Sequence, residues 1–442
     1  MASGSGAAIA AGSLLTTMTK GMEWRQAAAL PVEALTERLG RPESASLSKG
    51  INISAAFAIE ALHRAFEDAF RREKFPVASG AGKKTVLVAM SGGVDSSVAC
   101  LLEQRAGRDV IGLTMRLLDD PGGNDGDDAG RSCCSAGAVL DARETCHSLG
   151  LPHLTIDYSR PFFEEVINDF CRSYLAGMTP NPCVRCNGRL RFPALVRLAA
   201  RLGAAKVATG HYVRIVRRKG APLLARGVDR DKDQSYMLWA VKPGLLEKLS
   251  FPLGEMSKPA VRLLAQSARL QAGGRPESQD ICFIPGGDYR SFITSSLGER
   301  QAPGPGDIVD LSGGKIGVHD GYHNYTVGQR RGLGGGGRRE AMYVIKTLPE
   351  KNLVVAGPRK HLAVRSIKVS GINSFAGVEA KERLLLQMRY NSPAVEAQVR
   401  TGNGKWEADL SVPAYGIAPG QSAVFYRGST LAAGGIITAT NP

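Results

Sequence analysis

No run of the 442-residue chain approaches the roughly 18 consecutive apolar residues of a membrane-crossing helix, so no transmembrane span and no membrane partner are expected. A secretory signal with a clear apolar core is missing as well. Only eight cysteines serve a chain too long and too core-rich to need a disulfide framework, so its thiols are expected to be buried, catalytic or metal-binding. Acidic side chains are absent from the first 22 residues, where Lys20 is the one charge among Ala, Ser, Thr and Gly. That composition suits an organelle transit peptide, for mitochondrion or chloroplast; the alternative is a tail on a cytoplasmic protein. No internal repeat is seen. Hydrophobic residues at 43% and charged residues at 22% exclude a disordered or fibrous chain.

What is present in excess is positive charge. Lys and Arg number 56 against 41 Asp and Glu, a net +15. Residues 1–82 hold nine basic and eight acidic side chains, so nearly all of the surplus belongs to the remainder. A folded body so charged is a candidate for binding a polyanion, nucleic acid first. At about 150 residues per domain, the length suggests about three domains.

Residues 52–75 read as a helix, with Ile59, Leu62, Phe66 and Phe70 at spacings of three and four and His63 expected on its surface. A linker through Ser79–Gly82 follows. From Thr85 the pattern changes to short, continuous apolar runs, Thr85–Met90, Asp109–Met115, Leu154–Asp157 and Lys206–Gly210, alternating with helical stretches such as 136–149 and 189–202. Such runs fit strands buried on both faces, and the alternation implies a parallel α/β sheet. Asp119–Asp128 is an acidic, turn-rich loop whose spacing does not match a calcium site. Past residue 300, short runs at Ala341–Ile345, Leu353–Val355, Ser366–Val369 and Ala423–Tyr426 are separated by Gly and Pro, which favours an all-β portion ending in a barrel.

The strongest local signal is Ser91-Gly92-Gly93-Val94-Asp95-Ser96-Ser97, set between a strand and a helix. The glycines let backbone amides approach an anion, and the following helix points its positive end at the same spot. The serine hydroxyls add donors, and Asp95 is suited to orient the loop or to help hold magnesium. Gly80–Thr85 is not a Walker A loop, since it precedes the strand and has Val77 where the first Gly is required; Gly332–Gly337 matches a dinucleotide pattern without a βαβ setting. Ser91–Ser97 resembles instead the PP-loop of the ATP pyrophosphatases, which split ATP between its α and β phosphates.

That loop alone leaves amidation, argininosuccinate formation, lysidine formation and RNA thiolation open. Asn181-Pro182-Cys183-Val184-Arg185-Cys186-Asn187 carries a C-x-x-C on a Pro-fixed loop, and Asp280-Ile281-Cys282-Phe283-Ile284 adds a distant third thiol. With Ala208–Tyr212, Lys232–Tyr236, Thr326–Arg330 and Pro419–Val424 in the same order, the chain from about residue 84 to its end resembles the tRNA-specific 2-thiouridylase family. Residues 1–83 lie outside that resemblance.

The resemblance implies residues 84–288 as an ATP-binding catalytic domain, 289–358 as a small central β-containing tRNA-binding domain and 359–442 as a C-terminal β-barrel. It implies sulfur addition to the wobble uridine of tRNAs of the Lys, Glu and Gln type, with ATP and Mg2+ as cofactors and a sulfur-donor protein or cysteine desulfurase relay as partner. Ala89, Met90, Ser91, Gly92, Gly93, Val94, Asp95 and Ser96, with Met115 and Gly210, are implied to hold ATP. Asn181, Pro182 and Cys183 are implied to face the target base, and Lys232, Asp233, Gln234, Arg389 and Tyr390 to contact tRNA. Cys282 is implied to carry the sulfur as a persulfide, with Cys186 its partner nucleophile. Many bacterial members have Asp where this chain has Cys183; the three thiols Cys183, Cys186 and Cys282 leave a [4Fe–4S] cluster with one open iron as an alternative to the persulfide relay. Two other functions stand beside the thiouridylase: a PP-loop ligase acting on a small molecule, which needs neither Cys186 nor Cys282, and a non-catalytic RNA-binding protein. Cys100, Cys146 and Cys171 are expected as small hydrophobes in helices, Trp239 in a core, and His211 in contact with substrate or in a structural hydrogen bond.

Overall fold

The computed structural model describes residues 6–40, 45–72, 84–118, 136–270, 281–297, 302–333, 340–402 and 404–442. The linker at 79–82, the acidic loop 119–128, Cys133, Cys134 and most of the glycine run 332–337 lie outside these residues. The chain divides into two compact units, one from the described residues of Met1–Arg160, Ala194–His211 and Lys248–Phe283, the other from Pro161–Pro193, Tyr212–Glu247 and Ile284–Pro442.

The first unit is built on a parallel sheet. Its strands β1 (Thr85–Ala89), β2 (Asp109–Arg116), β3 (His153–Asp157), β4 (Lys206–Thr209) and β7 (Leu249–Ser250) lie in the order β3-β2-β1-β4-β7. Residues 86–88, 110–115 and 207–209 are buried, as continuous apolar strands covered on both faces must be. The order reverses at β1, whose two neighbours are β2 and β4. In an open α/β sheet that reversal opens a crevice at the carboxyl ends of the strands, and the Ser91–Ser97 loop leaves β1 at that end.

A helical layer covers one side of this unit. It comprises α1 (Gly6–Thr19), α2 (Trp24–Ala28), α3 (Val32–Leu39) and α4 (Ala45–Arg71), followed in the α/β core by α5 (Val94–Arg105) and α6 (Ala136–Ser148). Ala11, Leu15, Leu35, Ala55, Ala58 and Ile59 form the layer's own apolar core. At about 1.5–3 kcal/mol per fully buried aliphatic side chain, Leu15, Leu35 and Ile59 alone give it substantial cohesion. Polar contacts join it to the strands and helices of the α/β core. The Asp157 amide donates to Glu67 Oε1 at 2.8 Å, Arg143 Nη1 meets Glu60 Oε2 at 2.7 Å, and Arg201 donates to the Phe70 carbonyl at 2.7 Å. Arg25 pairs with Asp109 at the start of β2. Within the stretch expected as a transit peptide or tail, Gly6–Thr19 is thus a helix packed in a core. His63, expected on the surface, is only 3% exposed and faces His147 and His153 with ring centroids 5.7 and 6.4 Å away. It lies one turn beyond Ile59, on the face that α4 turns inward.

The second unit is mainly antiparallel. Strands β8 (Gly306–Val309), β9 (Lys315–His319), β10 (Met342–Leu348) and β11 (Leu353–Pro358) form a sheet in the order β10-β11-β8-β9. A closed six-stranded barrel follows from β12 (Ala363–Ser374), β13 (Arg383–Gln387), β14 (Val395–Thr401), β15 (Lys405–Tyr415), β16 (Ser422–Arg427) and β17 (Thr430–Asn441), in the order β12-β15-β14-β13-β16-β17. Pairing of β17 back onto β12 closes it and leaves no free edge within the ring. The hairpin β5 (Val213–Arg218) and β6 (Ala221–Arg226) extends this sheet where Thr430 pairs with Ala225. Ile367, Val369, Leu386, Val399, Phe425 and Ile437 fill the barrel.

Candidate active site

Gly92 lies at φ +71°, a conformation open to glycine, and a Cβ there would come within 2.4 Å of the Ala138 carbonyl oxygen. Gly93 caps α5 with no side-chain bond, so the first-turn amides, which helical geometry leaves outside the i→i−4 ladder, are not blocked by a capping side chain of their own residue. The loop is held from within: the Ser91 amide and hydroxyl both reach Ser96 Oγ, at 3.1 and 3.2 Å, while Ser96 and Ser97 donate to the Gly93 carbonyl at 3.0 and 3.1 Å. This is a rigid, amide-rich cradle at a helix N-terminus, suited to polyphosphate.

Gly210 follows β4 and presses on the same turn. A Cβ there would lie 2.7 Å from the Asp95 carbonyl carbon and 2.8 Å from the Ser96 amide nitrogen. Gly210→Ala is therefore expected to push α5 off the loop. If the overpacking of about 1–3 kcal/mol falls on the ATP-binding conformation, ATP affinity drops roughly 5- to 150-fold; titration with ATP and with tRNA checks it, the second expected unchanged. Met115, on β2, is buried at 8% exposure. His211 bonds Thr209 Oγ1 through Nδ1 at 2.8 Å, one of the two roles expected for it.

Asp95, the second residue of α5, exposes 34% of its side chain and receives Lys258 Nζ at 2.8 Å on both carboxylate oxygens. A carboxylate oxygen is the kind of hard donor magnesium takes, and here both oxygens are engaged by Lys258. The sequence signals Lys258 only through Ser257-Lys258-Pro259, an N-cap followed by Pro at the start of a helix.

In the second unit, motifs far apart in sequence converge. Asn181 caps the short helix Pro182–Arg185, its Oδ1 accepting from the amides of Cys183 and Val184 at 3.1 and 3.3 Å. Cys183 is partly exposed and Cys186 is buried at 6% exposure. Cys186 opens a π-helical turn, Cys186–Arg191, a rare geometry frequent at functional sites. Asn187 Nδ2 donates to the Met237 carbonyl at 3.3 Å, and Asn181 Nδ2 approaches Met237 Sδ at 3.5 Å, so the 232–238 segment backs the cysteine loop. The barrel backs it too: the Thr179 amide donates to the Pro419 carbonyl at 2.8 Å and Gln421 donates to the Thr179 carbonyl at 2.9 Å. Trp239, in a core as expected, donates to Ser422 Oγ at 2.8 Å.

Of the residues implied to contact tRNA, Asp233 is only 7% exposed. Its carboxylate accepts from the amides of Gly227 and Ser235, the Ser235 hydroxyl and Arg226, and so fixes the turn that carries its neighbours. Gln234 Oε1 accepts from the Tyr212 amide at 2.9 Å. Lys232 is partly exposed, Arg389 donates to the Gly416 carbonyl, and Tyr390 stands 6.2 Å from the Tyr236 ring. Desolvation raises the Tyr390 hydroxyl pKa, although 37% of the residue is exposed, and Asp233 and Cys183 nearby add to the rise. Cys282 is partly exposed and falls in the first unit with the phosphate loop, whereas Cys183 and Cys186 fall in the second. Asp280 of its motif lies outside the described residues. Among the described residues no group of three or more His, Cys, Asp or Glu side chains is gathered to hold a metal ion, and the cluster alternative finds no support.

The family model described as tRNA methyl transferase HUP domain matches residues 84–286, that of the tRNA methyl transferase PRC-barrel domain 290–358, and that of the aminomethyltransferase beta-barrel domain 364–437. A tRNA-specific 2-thiouridylase MnmA of Thermus thermophilus is 44% identical over 359 residues, covering 80% of this chain and 95% of the relative. The chain belongs to the tRNA-specific 2-thiouridylase family. Another thiouridylase, from Rhodospirillum centenum, is 43% identical over 366 residues, 80% of this chain and 91% of its own. A bifunctional protein NifU/MnmA of Rubrobacter xylanophilus is 44% identical over 443 residues, 98% of this chain and 87% of the relative. That last match takes in the helical layer α1–α4, which a thiouridylase match of 80% does not span in full.

Proposed function

We propose that this chain is an ATP-dependent tRNA-uridine 2-sulfurtransferase. One observation carries the reading: a chain of this family has, within its first unit, a phosphate cradle at the sheet's reversal point and a partly exposed thiol, Cys282.

The chemistry follows from these residues. The uracil 2-carbonyl is a poor electrophile, so its oxygen first attacks the α-phosphorus of ATP and pyrophosphate leaves. The amides of the Ser91–Ser97 loop and the end of α5 stabilise the departing charge. Magnesium, when bound beside Asp95, neutralises further phosphate charge. Sulfur, delivered by a donor protein or desulfurase relay, rides on Cys282 as a persulfide, whose anionic terminal sulfur is nucleophilic near neutral pH. It attacks C2 and AMP leaves with the original oxygen. Cys186 thiolate then attacks Cys282 Sγ, the sulfur–sulfur bond breaks, and its electron pair stays on the sulfur now at C2. The two thiols supply the two electrons and end as a disulfide, which an external dithiol reduces. Exposed Arg and Lys side chains hold the RNA backbone, so binding weakens with salt, and the base leaves its stack to reach the loop.

Incubation of the protein with tRNA, ATP and a sulfur source, followed by mass spectrometry of the nucleosides, is expected to yield 2-thiouridine with AMP and pyrophosphate. ATP cleavage without sulfur in the tRNA would point to a ligase instead.

A further inference from the structure

Lys258, the buried half of the ion pair beside the phosphate loop, has no part in the scheme above. Lys258 begins the helix Lys258–Ser267, which packs against α5, and its side chain is 7% exposed. A lysine so buried is rare unless paired, and here the partner is the loop's own carboxylate, Asp95, bound symmetrically at 2.8 Å to each oxygen. The contact is placed where a tetra-anionic polyphosphate has to settle. An uncompensated Asp95 would repel that ligand; a Lys258 locked permanently on both Asp95 oxygens would compete with a cation for the same atoms.

We propose that Lys258 is a phosphate ligand: on nucleotide binding its ammonium passes from Asp95 to a non-bridging oxygen of ATP's polyphosphate, leaving an Asp95 oxygen open to magnesium. The exchange keeps every charge paired in both states, since Lys258 neutralises Asp95 before ATP arrives and phosphate afterwards. The ammonium is a compact charge on a flexible stem and can swing between two oxygens where a guanidinium fork cannot. The proposal rests on the reading of this loop as an ATP site.

The test is direct binding of ATP, and of adenosine as a phosphate-free control, to wild type, Lys258→Gln, Lys258→Arg and the double variant Asp95→Asn/Lys258→Gln, each with and without Mg2+. Loss of one charge-assisted contact predicts roughly 10- to 100-fold weaker ATP binding for Lys258→Gln, with adenosine unaffected and partial recovery in Lys258→Arg. The double variant removes the uncompensated carboxylate and is expected to recover thermal stability but not ATP affinity, and so covers the case in which the single variant does not fold. A double variant that binds ATP like wild type, or a loss shared equally by adenosine, would reduce Lys258 to a structural clamp. Failure of wild type itself to bind ATP would instead overturn the function proposed for the loop.

Discussion

Cys282→Ser is expected to bind tRNA and release pyrophosphate as the parent does, yet to lose sulfur transfer by a factor on the order of 10³ or more, as removal of a nucleophile does. A hydroxyl cannot carry a persulfide, whereas the adenylation half-reaction uses the loop at 91–97 and needs no thiol. Cys186→Ser is expected to be as inactive for a different reason. Sulfur loads onto Cys282 and attacks C2, but its bond to Cys282 Sγ is not cleaved, so with ATP and tRNA the variant accumulates a disulfide-linked Cys282–tRNA adduct that mass spectrometry detects and a reductant releases. Cys183→Ser separates the relay from a cluster. In the relay as proposed Cys183 takes no electrons and only seats the base, so thiolation is expected to be reduced but measurable. With a cluster, all three serine variants lose iron and activity together. Thiouridine at parental yield in Cys282→Ser would remove the persulfide from the mechanism.

The parts of this molecule legible in the sequence are those whose signal is local. The buried strands read true because burial on both faces requires uninterrupted apolar residues: the run expected at Asp109–Met115 is β2, and that at Leu353–Val355 lies in β11. The strand-to-helix turn is legible because Gly92 answers a backbone demand at one place. The helix α1 is hard to see in the sequence because it buries small residues, Ala11 with Leu15, and such a face carries little apolar periodicity. Asp233 shows the limit of motif reading. Its place in a motif says nothing of the four hydrogen bonds it accepts, which give it a turn to hold. Lys258 was silent because its meaning lies in a partner 163 residues away. The docking of hairpin β5–β6 on the barrel is equally long-range, and no local pattern encodes it.

Acidification is expected to release the helical layer. Three imidazoles, His63 on α4, His147 on α6 and His153 on β3, are packed where the layer meets the sheet. Burial drives His63 down to about 2, helped by Arg143 and His147, and drives His147 down to about 4. His153 is lowered by burial and by the charges of His63, Arg143 and His147. Arg143 is itself paired with Glu60, while Glu33 and the Ala28 carbonyl, 3.2 Å away, favour a proton on His147 without offsetting its burial. Because each folded pKa lies below the ordinary value of 6.5, the unfolded chain binds more protons between those limits. The stabilisation is complete above about pH 6.5 and drains as pH falls, at about 1.4 kcal/mol per unit for each imidazole held neutral. Three acting together amount to at most about 6 kcal/mol by pH 5, a large share of a domain's total. Urea unfolding followed at pH 7.5 and pH 5 is expected to show the loss, with hydrogen exchange rising first in α4 and α6. His63→Leu is expected to lower stability modestly at pH 7.5 and to flatten the pH dependence by about one proton. A midpoint that does not move between these pH values would mean that the imidazoles find protons without the layer opening.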